Sequence, residues 1–314
     1  MGGETLTATS FSTGPGGKGA NQAVACARAA VSTTEEAPLQ IVMLGATGTS
    51  EDDPLSDALH ATLEAEDIDR TGIVRIPQIS SGTATILIEE QTGQNRILVV
   101  PGANGKVSKM FLEKPEFQMQ LWGNASIAKA ALLVMQLEIP MDTVVEAISL
   151  ANNHGVPVLL NPAPAVTNIP KDTLALVDHL IVNETEAEIL LSAHSNKHEL
   201  STGSKEWLQH VFYSFKEIGV KTLVVTLGEK GACYTNSRED QGYTFVPAVH
   251  VEASLVVDTT AAGDTFVGAY AVEVVRSQGK AMDIRKAISR GCKASSLTVQ
   301  RPGAIKSIPR GSEY

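Results

Sequence analysis

Asp264 closes a run of small residues, Asp258-Thr259-Thr260-Ala261-Ala262-Gly263-Asp264, followed by Thr265 and Phe266. Ser254-Leu255-Val256-Val257 before the run has the apolar character of a strand, and Thr265 to Val275 after it contains few helix breakers. A strand, a tight turn and a helix are the simplest reading. Ala261, Ala262 and Gly263 are too small to cover their own amides, and at a helix N-terminus such N–H groups, with the macrodipole, favour an anion such as a phosphate. An aspartate in that turn would repel the phosphate as a ligand, but it is suited to take a proton from a hydroxyl attacking it. Taken alone, the stretch also fits an ordinary junction in which Asp264 is a first-turn acid worth roughly 0.3–1 kcal/mol.

Other residues carry related chemistry. In Gly16-Gly17-Lys18-Gly19-Ala20-Asn21-Gln22 the glycines let backbone donors approach hydroxyls, while Lys18 and Asn21 offer fixed polar groups, as a sugar site needs. Gly14, Gly16 and Gly19 also spell G-x-G-x-x-G, but the segment before them alternates polar and apolar residues, which argues against a dinucleotide fold. Glu138 ends an apolar run and would sit at the carboxyl edge of a parallel strand, where such sheets place ligands. Asn183 and Glu186 follow another run, and Thr226-Leu227-Gly228-Glu229-Lys230-Gly231 ends a third with two glycines. Each of these alone also fits a solvated strand end or helix start. His194 and His198 lack the H-E-x-x-H glutamate, and no G-x-S-x-G elbow occurs.

The elements that must position these residues follow from periodicity. Leu6 to Ser12 alternates as a half-exposed strand does; Ala20 to Ala30 is an alanine-rich helix; Leu39 to Leu44 reads as a buried strand. Pro54 to Ala65 is a helix with Leu55, Leu59 and Leu63 on one face. Gly82 to Val100 reads as a hairpin turning at Gln91–Gln94. From Ala131 a strand–helix alternation is regular: strands at Ala131–Met135, Val156–Leu160, His179–Val182 and Lys221–Thr226, with helices at Met141–Asn152, Glu184–Leu191 and Ser204–Ile218. A second hairpin at Ala232–Val246 and helices from Gly263 to Ser277 and Ala281 to Val299 complete the chain. This pattern predicts an α/β fold, a mostly parallel sheet covered on both faces, in one domain spanning 1–314.

Composition narrows the function. Of 314 residues 43% are hydrophobic, 19% charged and only 4% aromatic, as in an enzyme-like globule packed by aliphatic side chains. A net charge of −10 without a basic run argues against nucleic acid, and no apolar run is long enough to span a bilayer. Three widely spaced cysteines fit a reducing compartment, with the cytosol, or the nucleus, as the expected location.

Asp258–Phe266 resembles the C-terminal signature D-T-x-[GA]-A-G-D-x-F of the ribokinase-like carbohydrate kinases, and Gly16–Gln22 resembles their N-terminal one. Met135-Gln136-Leu137-Glu138, Asn161-Pro162-Ala163-Pro164, the N-x-x-E of Asn183–Glu186 and the T-L-G-x-x-G of Thr226–Gly231 are similar to the same family. The resemblance implies a three-layer sandwich with a small β-lid, formed by strands near 5–12 and 82–100. It implies transfer of the ATP γ-phosphoryl group to a pentose hydroxyl, ribose O5 being favoured, with Asp264 as base and the Ala261, Ala262 and Gly263 amides as anion hole. Gly17, Lys18, Gly19, Ala20, Asn21 and Glu138 would hold the sugar beside Asp264. Asn183, Thr226, Leu227, Gly228, Glu229, Lys230, Gly231 and Gly263 would hold ATP, and Glu186 would organise Mg²⁺ through water. Asp258, the Thr260 carbonyl, Arg301, Gly303 and Ser307 would enclose a monovalent cation, K⁺. Lid strands that pair between subunits would give a homodimer.

Two departures bear on this. The family places a buried strand and an N-x-D motif, whose aspartate grips the sugar, before the G-E-T found here at Gly3-Glu4-Thr5, whereas Met1-Gly2 precede it in this sequence. The Gly45–Asp53 stretch also departs from the family's G-x-x-G-D-D turn. A kinase for another small sugar or nucleoside, or a nucleotide-binding remnant without sugar kinase activity, therefore stays open.

Overall fold

The structure is a computed structural model that describes residues 8–31, 38–49, 51, 53–88, 95–123, 129–167, 169–192, 200–235, 242–278 and 280–314. Alanine-rich α1 (Lys18–Ala29) starts at Gly17, whose φ of 89° suits glycine. Strand β1 (Val42–Gly48) leads to α2 (Pro54–Ala65), which begins with Pro54 and is capped by the Asp53 carboxylate accepting from the Leu55 amide. Strand β2 (Asp69–Ile76) pairs in parallel with β1, and β3 (Thr83–Ile88) pairs antiparallel with β4 (Asn95–Val100). Short helices α3 (Lys109–Leu112) and α4 (Pro115–Trp122) follow.

The second half alternates as its sequence predicts. It comprises β5 (Leu133–Met135), α5 (Met141–Asn153), β6 (Val158–Leu160), α6 (Lys171–Ala175), β7 (His179–Asn183), α7 (Glu184–Ser192), α8 (Lys205–Ile218) and β8 (Thr222–Thr226). Then come β9 (Gly231–Thr235), β10 (Tyr243–Pro247), α9 (Ala262–Arg276) and α10 (Ile284–Thr298). These six strands form one sheet in the order β10-β9-β8-β7-β6-β5, with β5 to β8 parallel and β9 and β10 antiparallel. Leu160, Leu180, Val182 and Val225 face α5 to α8 on one side. Leu159, Ile181 and Val224 face α1, α9 and α10 on the other. Burial on both faces explains why these strands read as unbroken apolar runs. The result is a three-layer α/β sandwich, and the carboxyl ends of β5 to β8 share one edge.

Several expectations are corrected. Ser254–Val257 is no strand: Ala253–Leu255 is a 3₁₀ turn, and Leu255, Val256 and Val257 stand exposed, because the sheet already ends at β10 and offers them no partner. Residues 8–12 form no strand either, and β3 and β4 make a sheet of two; residues 1–7, including the rest of that expected lid strand, lie outside the described residues. The strand expected at Leu39–Leu44 runs instead over Val42–Gly48 and is only partly buried, with Gly48 so close to Ile79 that an added Cβ would meet its carbonyl oxygen at 2.5 Å. Leu55 is exposed at the start of α2 while Leu63 is fully buried. Strand β2 and helices α3, α4 and α6 were not expected; β2 carries Asp69, Arg70, Gly72 and Arg75, which hide its period. The expected turn at 91–94 and the 194/198 histidine pair lie outside the described residues.

Candidate active site

The start of α9 is built without a conventional cap. Ala261, the N-cap residue, adopts a left-handed φ of 61°, which costs a non-glycine residue roughly 1–2 kcal/mol. After this turn Gly263 stays exposed while Asp264 is buried. The Ala262 amide donates to the Thr259 carbonyl at 3.2 Å and the Thr265 amide to the Ala261 carbonyl at 2.8 Å. Among the described residues, no protein acceptor meets the amides of Ala261 and Gly263. Of the three amides read as an anion hole, these two are the ones available to an anion.

Asp264 is buried although it belongs to the first helical turn. Two side chains of α1 reach it: Asn21 Nδ2 donates to Oδ2 at 2.8 Å and Gln22 Nε2 donates to Oδ1 at 2.9 Å. The approach depends on α1 and α9 packing at near-contact, since a Cβ added at Gly268 would meet Ala25 Cβ at 2.3 Å. Gln22 also donates to Asn161 Oδ1, at the end of β6, and accepts from Gln136, just past β5. Asn21 Oδ1 is buried and, among the described residues, has no hydrogen-bond partner.

Lys18, Asn183, Glu186, Thr226, Gly263 and Asp264 line one cavity of about 230 Å³ at the shared carboxyl edge, with Asn161, Thr259 and Ala261. Glu138 does not line the cavity; it joins α1 beside it, where its Oε2 accepts from the Lys18 amide at 2.8 Å. Burial pushes the Glu138 carboxyl above its ordinary range, against the Lys18 N–H and its positive charge. Burial likewise raises Glu186, against the hydrogen bond from the Asn183 amide. Asn183 and Glu186 hold each other: the Asn183 amide donates to Glu186 Oε2 at 2.9 Å, and the Glu186 amide donates to Asn183 Oδ1 at 2.8 Å. Glu186, a carboxylate in a polar cavity, fits a cation that keeps most of its waters, as Mg²⁺ does. Among the described residues no cluster of three acidic, histidine or cysteine groups offers a direct metal cage.

Gly17, Gly19 and Ala20 lie at the start of α1 beside this cavity. A Cβ added at Gly17 would stand 3.5 Å from Glu138 Oε2. Leu227 to Gly231 form the loop between β8 and β9; Leu227 is buried, Gly228 and Gly231 have positive φ, and Glu229 and Lys230 are exposed.

The cation residues come together in part. Asp258 Oδ1 accepts from the Thr260 amide at 2.8 Å and Oδ2 from the Gly303 amide at 2.9 Å, which outweighs its burial and holds the carboxyl below its ordinary range. Ser307 is fully buried in the same loop, which Arg28 of α1 secures through the Ile305 and Ile308 carbonyls. The Arg301 guanidinium points elsewhere, pairing with Glu313 at 2.5 Å, so only its backbone is available there. Gln22, Gln136 and Asn161 are the site residues that motif reading passed over as individuals; their signal is an amide side chain inside an otherwise apolar or glycine-rich run.

Residues 2–310 match the sequence pattern of the pfkB family carbohydrate kinases. The chain belongs to that family. A ribokinase of Schizosaccharomyces pombe is 38% identical over 311 residues, spanning 98% of this chain and 88% of that protein. The crystal structure of a Thermotoga maritima ribokinase is 33% identical, with a TM-score of 0.78 over 99% of this chain and 90% of its own. An Arabidopsis thaliana ribokinase, solved in complex with ribose and ATP, is 28% identical with a TM-score of 0.78, over 99% of this chain and 90% of that one. As a pfkB carbohydrate kinase the chain is a phosphotransferase with an alcohol acceptor.

Proposed function

We propose that this pfkB kinase transfers the γ-phosphoryl group of ATP to O5 of D-ribose, with Asp264 as general base. The observation that carries the reading is the arrangement of Asp264: a buried carboxylate, fixed by Asn21 and Gln22, on the wall of a cavity that Lys18, Asn183 and Thr226 also line. Its support from relatives is the ribokinase of S. pombe and the ribose- and ATP-bound ribokinase of A. thaliana.

In this reading Asn21 Oδ1 and Glu138 accept from sugar hydroxyls, which satisfies the buried Asn21 oxygen. Asp264 takes the proton from O5, and the Ala261 and Gly263 amides face the charge on the transferring group. Lys18 holds the sugar beside Asp264, while Asn183 and the loop from Thr226 to Gly231 orient the nucleotide, Leu227 by fixing the loop's base. Glu186 holds Mg²⁺ through water, and that ion supplies charge neutralisation on the phosphates. The Asp258, Thr260, Gly303 and Ser307 loop holds a monovalent cation such as K⁺ through its oxygens and keeps the amides of residues 261 to 263 in place. The lid pairs with a second copy through exposed Ile86, Leu87, Ile97, Leu98, Val99 and Val100, giving a homodimer.

The test is ADP formation across ribose, 2-deoxyribose, fructose and adenosine, with phosphorus NMR of the product. Ribose-dependent turnover with the phosphate at C5 is expected; preference for another acceptor contradicts the substrate, and nucleotide binding without any turnover contradicts the activity.

A further inference from the structure

The carboxylate of Asp264 is held by a chain of amides whose direction is fixed at the far end. Ile181 lies on β7, and its carbonyl oxygen can only accept, so the Asn161 group facing it at 3.0 Å is Nδ2. Asn161 therefore turns Oδ1 toward Gln22, and Oδ1 can only accept, so the Gln22 group facing it at 3.1 Å is Nε2. One of the two N–H bonds of Gln22 is used there, and the other reaches Asp264 Oδ1 at 2.9 Å. Gln22 Oε1 is held away from the carboxylate by Gln136 Nε2, which donates to it at 2.7 Å. Every member points one way, and Gln22, at 1% exposure, has no room to reach substrate.

We propose that Gln22 is a positioning residue of the phosphoryl transfer: the Ile181–Asn161–Gln22 relay fixes a donor on Asp264 and so keeps the base ionised and aimed. A donor locked onto a carboxylate favours its charged form, whereas an amide free to rotate would present Oε1 and oppose it. Placing an immobile backbone carbonyl at the head of the relay removes that freedom. The inference rests on Asp264 being the base.

The charged groups that face Asp264 are Lys18 on α1, Glu138 beyond β5 and Glu186 on α7. Burial raises both glutamates above their ordinary range, so the displacement of the acid limb between variants is the readout, not its position in one protein. Gln22→Glu keeps the shape and puts a second carboxyl against Asp264, and two carboxyls sharing a site have one pKa strongly raised. Its acid limb of kcat/KM for the acceptor is expected to move up by about 1 pH unit or more, with KM for ATP within about twofold of the parent, since Gln22 does not touch the cavity.

A folded Gln22→Glu protein, with its melting temperature retained and its acid limb unmoved, overturns the relay. Where Gln22→Glu does not fold, Asn161→Leu combined with Gln136→Leu carries the same test: with neither the Asn161 acceptor nor the Gln136 donor, Gln22 is free to turn, so an upward displacement supports the relay and an unmoved limb overturns it. Asp264→Asn measured alongside separates the two readings. Turnover retained in that variant removes the base and the relay together, whereas turnover lost there beside an unmoved Gln22→Glu limb removes the relay alone.

Discussion

Single buried groups set how the protein responds to its surroundings. His179, at the start of β7, lies beside Tyr270 with its Nδ1 2.9 Å from the hydroxyl, and the rings meet edge-on. Burial, with Lys221 nearby, lowers the His179 pKa to about 4 against the partial opposition of Asp178. A folded-state pKa below the unfolded value means the unfolded chain binds the proton more readily. The resulting stability, about 3 kcal/mol, is present above pH 6.5 and is lost as the pH falls toward 4. Urea midpoints should therefore drop between pH 7 and 5, and His179→Phe should flatten that drop. An unchanged slope in the variant contradicts the assignment. The Cys26 thiol, pushed up to about 12 by burial, stays protonated at neutral pH. At this scale the candidate site was legible where a residue belongs to a motif that resembles the family's, as for Asp264, Asn183 and Glu186. It was illegible for Gln22 and Asn161, because an amide has no chemistry until its neighbours fix which of its two ends faces the carboxylate.

Helices and strands bring those residues within reach of each other. The contact that matters most is α1 against α9, where Gly268 leaves no space for a side chain: an added Cβ would sit 2.3 Å from Ala25 Cβ and 2.7 Å from the Cys26 amide nitrogen. Backbone cannot yield as a flexible side chain can, so Gly268→Ala should separate the helices and cost about 3 kcal/mol, the upper part of the overpacking range. The same separation should lengthen the Asn21 and Gln22 bonds to Asp264, so kcat should fall at temperatures where the variant remains folded. Calorimetric melting and turnover read the two effects, and a variant with normal melting and turnover contradicts this packing. The second-half strands and helices were legible because burial on both faces imposes unbroken apolar runs and because helices fill the gaps between them. Strand β2 was not, since it is only partly buried, Gly72 being its one buried residue, and charged residues are interspersed along it. The exposed run at Leu255–Val257 misled in the opposite way: apolar residues need a partner strand to become one, and β10 already ends the sheet.

For the whole molecule, the sandwich sets two halves of a site against each other. One half is the α9 turn with Ala261, Gly263 and Asp264, supported by the Asp258–Gly303 loop. The other is α1 with Lys18, Asn21 and Gln22, joined to Glu138. Both halves were recognisable as motifs, yet the separation of 243 positions between Asn21 and Asp264 hides their hydrogen bond from any local pattern. Only the parallel sheet, which delivers β5 to β8 to one edge and α1 and α9 to one face, closes that distance. The claim on which the account depends is that Asp264 removes the acceptor's proton. Turnover of Asp264→Asn with ribose and MgATP, together with calorimetric binding of an ATP analogue, tests it most directly. The account predicts a loss of at least about 10²-fold in kcat with nucleotide binding retained; turnover close to the parent's would contradict it.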